Sequence, residues 1–514
     1  MSPKSPSRTP HGSWRSPITA SALVQGAASV SEVRVDGTDI WWNEQRPSEG
    51  GRHQLVRCRD DGPGGSPSRQ DLFEGFDPSG AGRNWNARTA VMEYGGGAWN
   101  VRGGLVVFAD WSDQRLHRTR LGEAPTPITP EPPASRAYRW SEPTWLDDAW
   151  LVCVREDHSP ERVASHGEAV NELVAVPVDG SAVDDPSRVK VLVSGPDFVH
   201  SPVVHGRLLV WIQWDHPSMP WDGSTLVVGL VEREGGVPVG VTSRAEVAGG
   251  PQESVVQPGF EVTGDLVFCT DRTGWWNPWV IDAASVDQVV GEAGSAPEPF
   301  DGRSFAEPVL AGGGVDVEIG GPLWVGGLRW WADAGDGRLV VSATRDGSDH
   351  LAVIGTDGTF AELPTRFSEV VQVVPGPAAD TVVIVGATPT TEAGPHLVAL
   401  TPEVPGAGVA GSARVAPLRP SRDLGMGEEW FSVARHVSFP SGPGVGGDRV
   451  AHALFYAPNN PSASAPTGEL PPLVVMIHGG PTSAARNRLD LAKQFWTSRG
   501  FAVVDVNYGG STGY

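Results

Sequence analysis

The residues in this 514-residue chain best placed for chemistry are His478-Gly479-Gly480-Pro481, directly after the apolar run Leu473 to Ile477. Glycines at a strand end let a carbonyl oxygen approach backbone N–H groups, which is how an oxyanion is held during acyl transfer. By itself such a turn fits a plain tight corner equally well. Three further pairs, Asp157-His158, Asp215-His216 and Asp349-His350, have the residue types of metal ligands or acid/base partners. They recur at inter-strand turns of separate repeats, so a turn role is expected. Ser511 lies in Gly510-Ser511-Thr512-Gly513, which lacks the spacing of a nucleophile elbow, and no G-x-S-x-G occurs in the chain. The P-loop, HExxH, EF-hand and dinucleotide patterns are also absent, so no cofactor and no metal are expected.

The elements that would position the glycine turn form a βαβ pattern. Leu473 to Ile477 has no polar residue, as suits a strand buried on both faces of a parallel sheet. A helical segment is expected next, with Ala485, Leu489, Ala492 and Trp496 on one face and Phe495 beside it. Gly500 stands where a helix C-terminus favours positive φ. A second strand, Phe501 to Val506, runs into Asn507-Tyr508-Gly509-Gly510. Open α/β sheets place ligands at the C-terminal ends of such strands.

Upstream the pattern is different. Residues 1–32 read as a flexible N-terminal arm, with a short helical stretch expected between Pro17 and Val30. From Val33 to Arg422 short strands repeat, with first strands beginning near Ile40, Leu105, Leu151, Leu208, Leu266, Leu339 and Thr381. Asp110, Asp157, Asp215, Asp271 and Asp346 sit in the turns that follow. A repeated four-stranded unit needs about 40–50 residues, and radial repetition hides sheet edges. The expected fold class is therefore an all-β propeller of about seven blades over 33–422, six or eight also being compatible. Residues 423–514 would form the incomplete start of an α/β-hydrolase domain. Asp60 to Arg69, Val231 to Gln252 and Val404 to Ala416 read as long loops, while His436 to Phe439 and Val450 to Tyr456 read as strands.

Composition narrows the function classes. A formal net charge of -22 argues against nucleic-acid binding, which needs clustered Lys and Arg. The 65 Gly and 46 Pro suit a turn-rich β architecture, and the 20 Trp are spread along the chain, as structural plugs would be. Cys58, Cys153 and Cys269 lie far apart, which suggests buried free thiols and an intracellular chain. No signal peptide and no membrane-length apolar run is visible, so a cytoplasmic location without a membrane partner is expected.

Leu473 to Tyr514 resembles the opening of the catalytic domain in the prolyl oligopeptidase family of serine peptidases, near its acylaminoacyl-peptidase and dipeptidyl-peptidase-like members. Gly12-Ser13-Trp14-Arg15-Ser16-Pro17-Ile18, Glu93-Tyr94-Gly95-Gly96-Gly97, the stretch from Trp214 to Asp222, and Asp271-Arg272-Thr273-Gly274-Trp275-Trp276-Asn277 extend the likeness across the repeats. The resemblance implies a propeller covering a hydrolase domain, with a Ser–His–Asp triad acting on short peptides. It also implies that the Gly480 N–H, supported by Gly479, is an oxyanion donor. Glu93, beside Tyr94, has the type to attract a peptide's amino terminus, as acidic propeller residues do in dipeptidyl peptidases, but a turn-capping role is the main expectation for it. His478 would be structural. Asp505 lies within a strand and does not match the family's triad acid. Asn507-Tyr508-Gly509-Gly510-Ser511 also departs from the family's Asn-Tyr-Arg-Gly-Ser. With no nucleophile elbow, the chain is expected to be truncated, to lack the triad and to be inactive alone. The competing expectation is a non-catalytic propeller binding protein with a residual hydrolase stub. Oligomeric state and cleavage preference stay open.

Overall fold

The computed structural model describes residues 7–59, 67–296, 299–400, 412–444, 447–480 and 482–514. All seven expected first strands form, as Asp39–Arg46, Leu105–Ala109, Trp150–Asp157, Leu208–Trp214, Leu266–Thr270, Leu339–Arg345 and Thr381–Thr388. Each is the second strand of its sheet, not the first. A leading strand precedes it: Ser29–Asp36, Trp99–Arg102, Tyr138–Trp145, Phe198–His205, Val255–Phe260, Trp331–Asp333 and Glu369–Pro375. Several leading strands are bulged, with register breaks at Ser31/Arg34, Ser141/Thr144, His200/Val203, Val256/Gly259 and Val370/Gln372. An extra residue on one strand breaks the two-residue alternation that makes a strand legible in sequence.

The outcome among the described residues is a mostly β, propeller-like domain of seven small sheets in chain order, antiparallel except where Phe300–Asp301 pairs in parallel with Val237–Gly250. The last sheet packs on the first, where Val374, Val383 and Val385 share a core with Val30, Val33 and Ile40. Neighbouring sheets cover both faces of a strand, so Leu209, Val210, Trp211 and Ile212 are all buried. Trp41, Trp42, Trp99, Trp140 and Trp211 fill such inter-sheet space, as expected of plugs. Several aspartates at or near these turns accept from backbone N–H groups of other segments. Asp110 accepts from the Asn86 N–H at 2.9 Å, Asp215 from Asp197 at 2.7 Å, Asp271 from Ser254 at 2.7 Å and Asp349 from Val370 at 2.8 Å.

Three expectations are corrected. Val231 to Gln252 is not a loop but most of a long hairpin, Ser224–Glu234 with Val237–Gly250, turning at Gly235 and Gly236, both with positive φ. Only Leu491–Thr497 of the expected helix forms. Residues 485–490 instead lie outside any helix along the seventh sheet, where the Leu489 N–H donates to Thr388 O at 2.9 Å and Arg488 pairs with Glu369 at 3.0 Å. Bonds to the sheet replace those a longer helix would make. From Ser7 on, the N-terminal arm is packed rather than loose: Ser7–Arg8 pair with Ala463–Ser464, and Trp14 and Ile18 are buried. The helical stretch before Val30 is confined to Ala20–Val24. Parts of the loops expected at Asp60 to Arg69 and Val404 to Ala416 lie outside the described residues.

Arg435–Gly444, Gly447–Tyr456, Ala502–Asn507 and Leu473–Ile477 form one mixed sheet in that order. Leu473–Ile477 is parallel to Ala502–Asn507, with Ile477 opposite Val506, so the expected βαβ unit is present. Gly500 has φ of 91°, and a Cβ there would press on Gly12 and Trp14. Asp505 is held within its strand by the Lys493 ammonium at 2.7 Å. Burial pulls that ammonium's pKa down, but Tyr456 and Asp505 outweigh it, so the pKa stands above its ordinary value. Leu473, Val475 and Ile477 are 55%, 56% and 66% exposed, while Val474 and Met476 pack on Leu454 and Val503. The edge strand therefore has one bare apolar face among the described residues: the run has the composition of a strand buried on both faces, but two parallel strands and one helix do not cover both. No described helix is long and apolar enough to cross a membrane.

Candidate active site

The two parallel strands end side by side, which places the turn at His478 against the turn at Tyr508. The His478 ring stacks on Tyr508, with centroids 4.5 Å apart and planes at 17°. Its Nδ1 lies 2.8 Å from Gly479 O and its Nε2 lies 2.8 Å from Ser511 Oγ. A carbonyl oxygen only accepts, so Nδ1 carries the proton and the Ser511 hydroxyl donates to Nε2. The contact resembles that of a hydroxyl with a neighbouring base, and the spacing of residues alone did not show it. Yet no carboxylate orients Nδ1, because the neighbouring carbonyl occupies that position, and a serine–histidine pair depends on such an orienting acid. His478 therefore clamps the turn between Ser511 and Tyr508.

The two glycines differ. Gly479 is exposed and a Cβ on it would meet nothing within 4 Å. A Cβ on Gly480 would collide with Tyr508 Oη, which donates to His478 O at 3.4 Å. Gly480 thus leaves room for the close approach of Tyr508 and an open backbone at the strand end. Pro481 lies outside the described residues.

The C-terminal turn is fastened to the propeller-like domain. Trp324 Nε1 donates to Thr482 O at 2.8 Å and the Gly347 N–H to Gly513 O at 3.0 Å, while the Thr512 N–H donates to Ser483 O at 3.0 Å within the C-terminal part itself. Asn507 accepts from the Ala485 N–H at 2.7 Å and donates to the Tyr514 hydroxyl at 3.0 Å. Between these contacts lies a cavity of about 170 Å³ lined by Glu318, Trp324, Trp330, Arg486 and Thr512. Burial, assisted by Asp271, pushes the Glu318 carboxyl up to about 7.

Trp324 is held in place by a segment that reaches several sheets. Gly326 bridges to Gly96, Gly327 N–H donates to Glu142 at 3.3 Å, and Gln372 donates to Gly327 O at 2.8 Å. Glu142 also accepts from the Ser201 N–H at 2.7 Å and faces His200 at 3.1 Å. Burial pushes nearby Glu32 up to about 7 against the pull of Arg34. These partners are far apart in sequence, and only the ring brings them together.

Glu93 is exposed on the same side, in a turn where its φ is 62°. Its carboxylate pairs with Arg139 at 2.5 Å, which holds its pKa below the usual carboxylate range. The adjacent Tyr94 ring meets Trp324 edge-on at 5.4 Å, and through Trp324 the Glu93 turn is linked to Thr482 and the glycine turn. The Asp-His pairs are not brought together. His158 bonds Glu156 at 2.7 Å, His216 faces Glu168 at 3.3 Å and His350 faces Glu362 at 3.7 Å. No cluster of potential metal ligands occurs among the described residues. Cys58, Cys153 and Cys269 are buried and in no disulfide, and burial pushes the Cys153 and Cys269 thiols well up.

No protein-family model and no curated protein matches the chain. Solved structures do. A Mycobacterium tuberculosis puromycin-hydrolyzing peptidase is 34% identical over 99% of this chain and 70% of its own, with a TM-score of 0.81. The chain belongs to the prolyl oligopeptidase family. A puromycin hydrolase is 31% identical over the same shares, with a TM-score of 0.80, and a mutant form of it was crystallised with PGG. Prolyl endopeptidases at 13% identity share the fold over 96% of this chain and 63% of theirs, with a TM-score of 0.61. The family resemblance carried by the glycine turn and the repeats is thereby established, and the relatives named are peptidases.

Proposed function

We propose that this chain supplies the substrate-facing and oxyanion-holding part of a serine-type peptidase acting on short peptides and aminoacyl amides of the puromycin kind. The observation that carries the reading is the 34% identity, over 99% of the chain, to a puromycin-hydrolyzing peptidase. The seven sheets act as seven blades over 33–422, and 423–514 opens an α/β-hydrolase domain. In acyl transfer, a serine oxygen adds to the carbonyl carbon and the carbonyl oxygen gains negative charge. The Gly480 N–H, with Gly479 leaving the approach clear, donates to that oxygen. Glu93, kept ionised by Arg139, attracts the substrate's amino group. The family's nucleophile elbow does not occur in residues 1–514, so nucleophile and base are not assigned to any residue of this chain.

The test has two parts. The purified chain is expected to show no turnover of chromogenic dipeptide or acylaminoacyl substrates; turnover blocked by a serine-directed fluorophosphonate would overturn the absence of a nucleophile. Calorimetric titration with a short peptide amide is expected to show binding that weakens on Glu93→Gln. Absence of any binding would overturn the substrate-facing role.

A further inference from the structure

A cavity of about 420 Å³ opens at the seventh sheet and shares no lining residue with the one beside the glycine turn. Phe367, Val415 and Pro417 give it an apolar wall. The Phe367 ring lies on bare backbone, because a Cβ on Gly386 would collide with it, and it meets His396 edge-on at 5.0 Å and 70°. His396 Nδ1 lies 2.8 Å from Gly394 O, so Nδ1 carries the proton and Nε2 is an acceptor. Burial pulls the His396 pKa below its ordinary value, which keeps the ring neutral. Among the described residues, none bonds Nε2.

The charge of this cavity is the reverse of the chain's. Arg366, Arg419 and Arg422 line it against a single carboxylate, Glu392. Arg422 pairs with Glu392 at 2.6 Å, and Arg419 pairs with Glu44 at 3.2 Å. Arg366 is exposed and has no carboxylate or hydrogen-bond partner among the described residues. In a chain of net charge -22, carboxylates are plentiful, yet this guanidinium stands without one. Such a cavity, apolar on one wall with a few convergent polar groups, has the make-up of a small-molecule site.

We propose that this cavity is a binding site, separate from the peptidase site, for a small aromatic carboxylate that carries a hydrogen-bond donor. The ligand's ring packs on Phe367 and Val415, its carboxylate meets the Arg366 fork, and its donor reaches His396 Nε2. The proposal does not depend on the peptidase reading. The site does adjoin the C-terminal segment: Thr388 lines it and accepts the Leu489 N–H at 2.9 Å. Glu392 lines both this cavity and a neighbouring one shared with Arg488 and Leu489. A ligand seated here therefore steadies the seam between the seventh sheet and residues 485–490.

The experiment titrates the full chain by calorimetry with three probes: indoleacetate, naphthylacetate, which lacks the N–H donor, and tryptophol, which lacks the carboxylate. Indoleacetate is expected to bind about tenfold more tightly than tryptophol, the scale of one charged hydrogen bond. Arg366→Gln should abolish that difference, and His396→Phe should abolish the smaller preference for indoleacetate over naphthylacetate. Val415→Trp fills the cavity from an exposed position and should remove binding of all three with an unchanged melting temperature. Val475→Ser, on the bare face of the edge strand, should change nothing, which separates this site from general adsorption to apolar surface. No binding of indoleacetate, equal affinity for indoleacetate and tryptophol, or binding that survives Val415→Trp overturns the site.

Discussion

The strands Leu208–Trp214 and Leu473–Ile477 are similar in sequence and opposite in fate. In the propeller-like domain, Leu209, Val210, Trp211 and Ile212 are buried on both faces, because a sheet stacks on either side. In the C-terminal mixed sheet, Leu473, Val475 and Ile477 are more than half exposed, and only Val474 and Met476 are packed. The ring closes on itself, so every sheet finds neighbours. The C-terminal sheet ends on an edge strand with one covered face. An apolar run states that a strand is capable of burial; its neighbours decide whether burial happens.

The largest expected effect comes from opening the closed side. Trp211→Ala removes a buried ring between stacked sheets and should cost about 4 kcal/mol in urea unfolding. A loss below about 1 kcal/mol would mean the ring is not tightly packed. On the other side, Lys493→Met strips the buried Asp505 of its partner and should cost about 3 kcal/mol, read from a probe in the C-terminal sheet such as Trp496 fluorescence. An unchanged transition there would show that the sheet is held from its edges and not through this pair.

The ring's enclosure also predicts a pH effect at Glu32, whose carboxyl burial raises to about 7. Below about pH 4.5 the carboxyl is protonated in both folded and unfolded chains, and it contributes nothing. As pH rises toward 7 the unfolded chain ionises first, so stability falls, and above 7 the loss is constant. Glu32→Gln should therefore stabilise the protein by about 3 kcal/mol at pH 8 and have almost no effect at pH 4. Stabilisation of the same size at both pH values would point to packing instead of charge.

At the open side the effects are smaller. Gly480→Ala should cost about 1 kcal/mol by displacing Tyr508, and Tyr508→Ala in the same chain should remove most of that penalty. Strict additivity would show that the two do not meet. Val475→Ser should change stability by less than about 0.5 kcal/mol while reducing self-association in light scattering. A loss as large as that at Trp211 would erase the distinction between the two regions.

Much of this protein was determined by its sequence. The second strands, beginning near Ile40 and Leu105 and onward to Thr381, follow from apolar runs bounded by turn residues, and Gly500 from the φ its position needs. The glycine turn after Leu473–Ile477 carries the family likeness in its residues alone, because strand, turn and helix start are all local in the chain. Five leading strands were hard to read because bulges at positions such as Ser31/Arg34 break the alternation that marks a strand. So was the 485–490 segment, whose helical spacing was overridden by hydrogen bonds and ion pairs to the seventh sheet. Tertiary structure alone decided which residues surround the turn: Ser511 on His478, Trp324 on Thr482, Tyr94 on Trp324. Those partners lie tens to hundreds of positions apart, and no local pattern encodes a contact that exists only once the ring has closed.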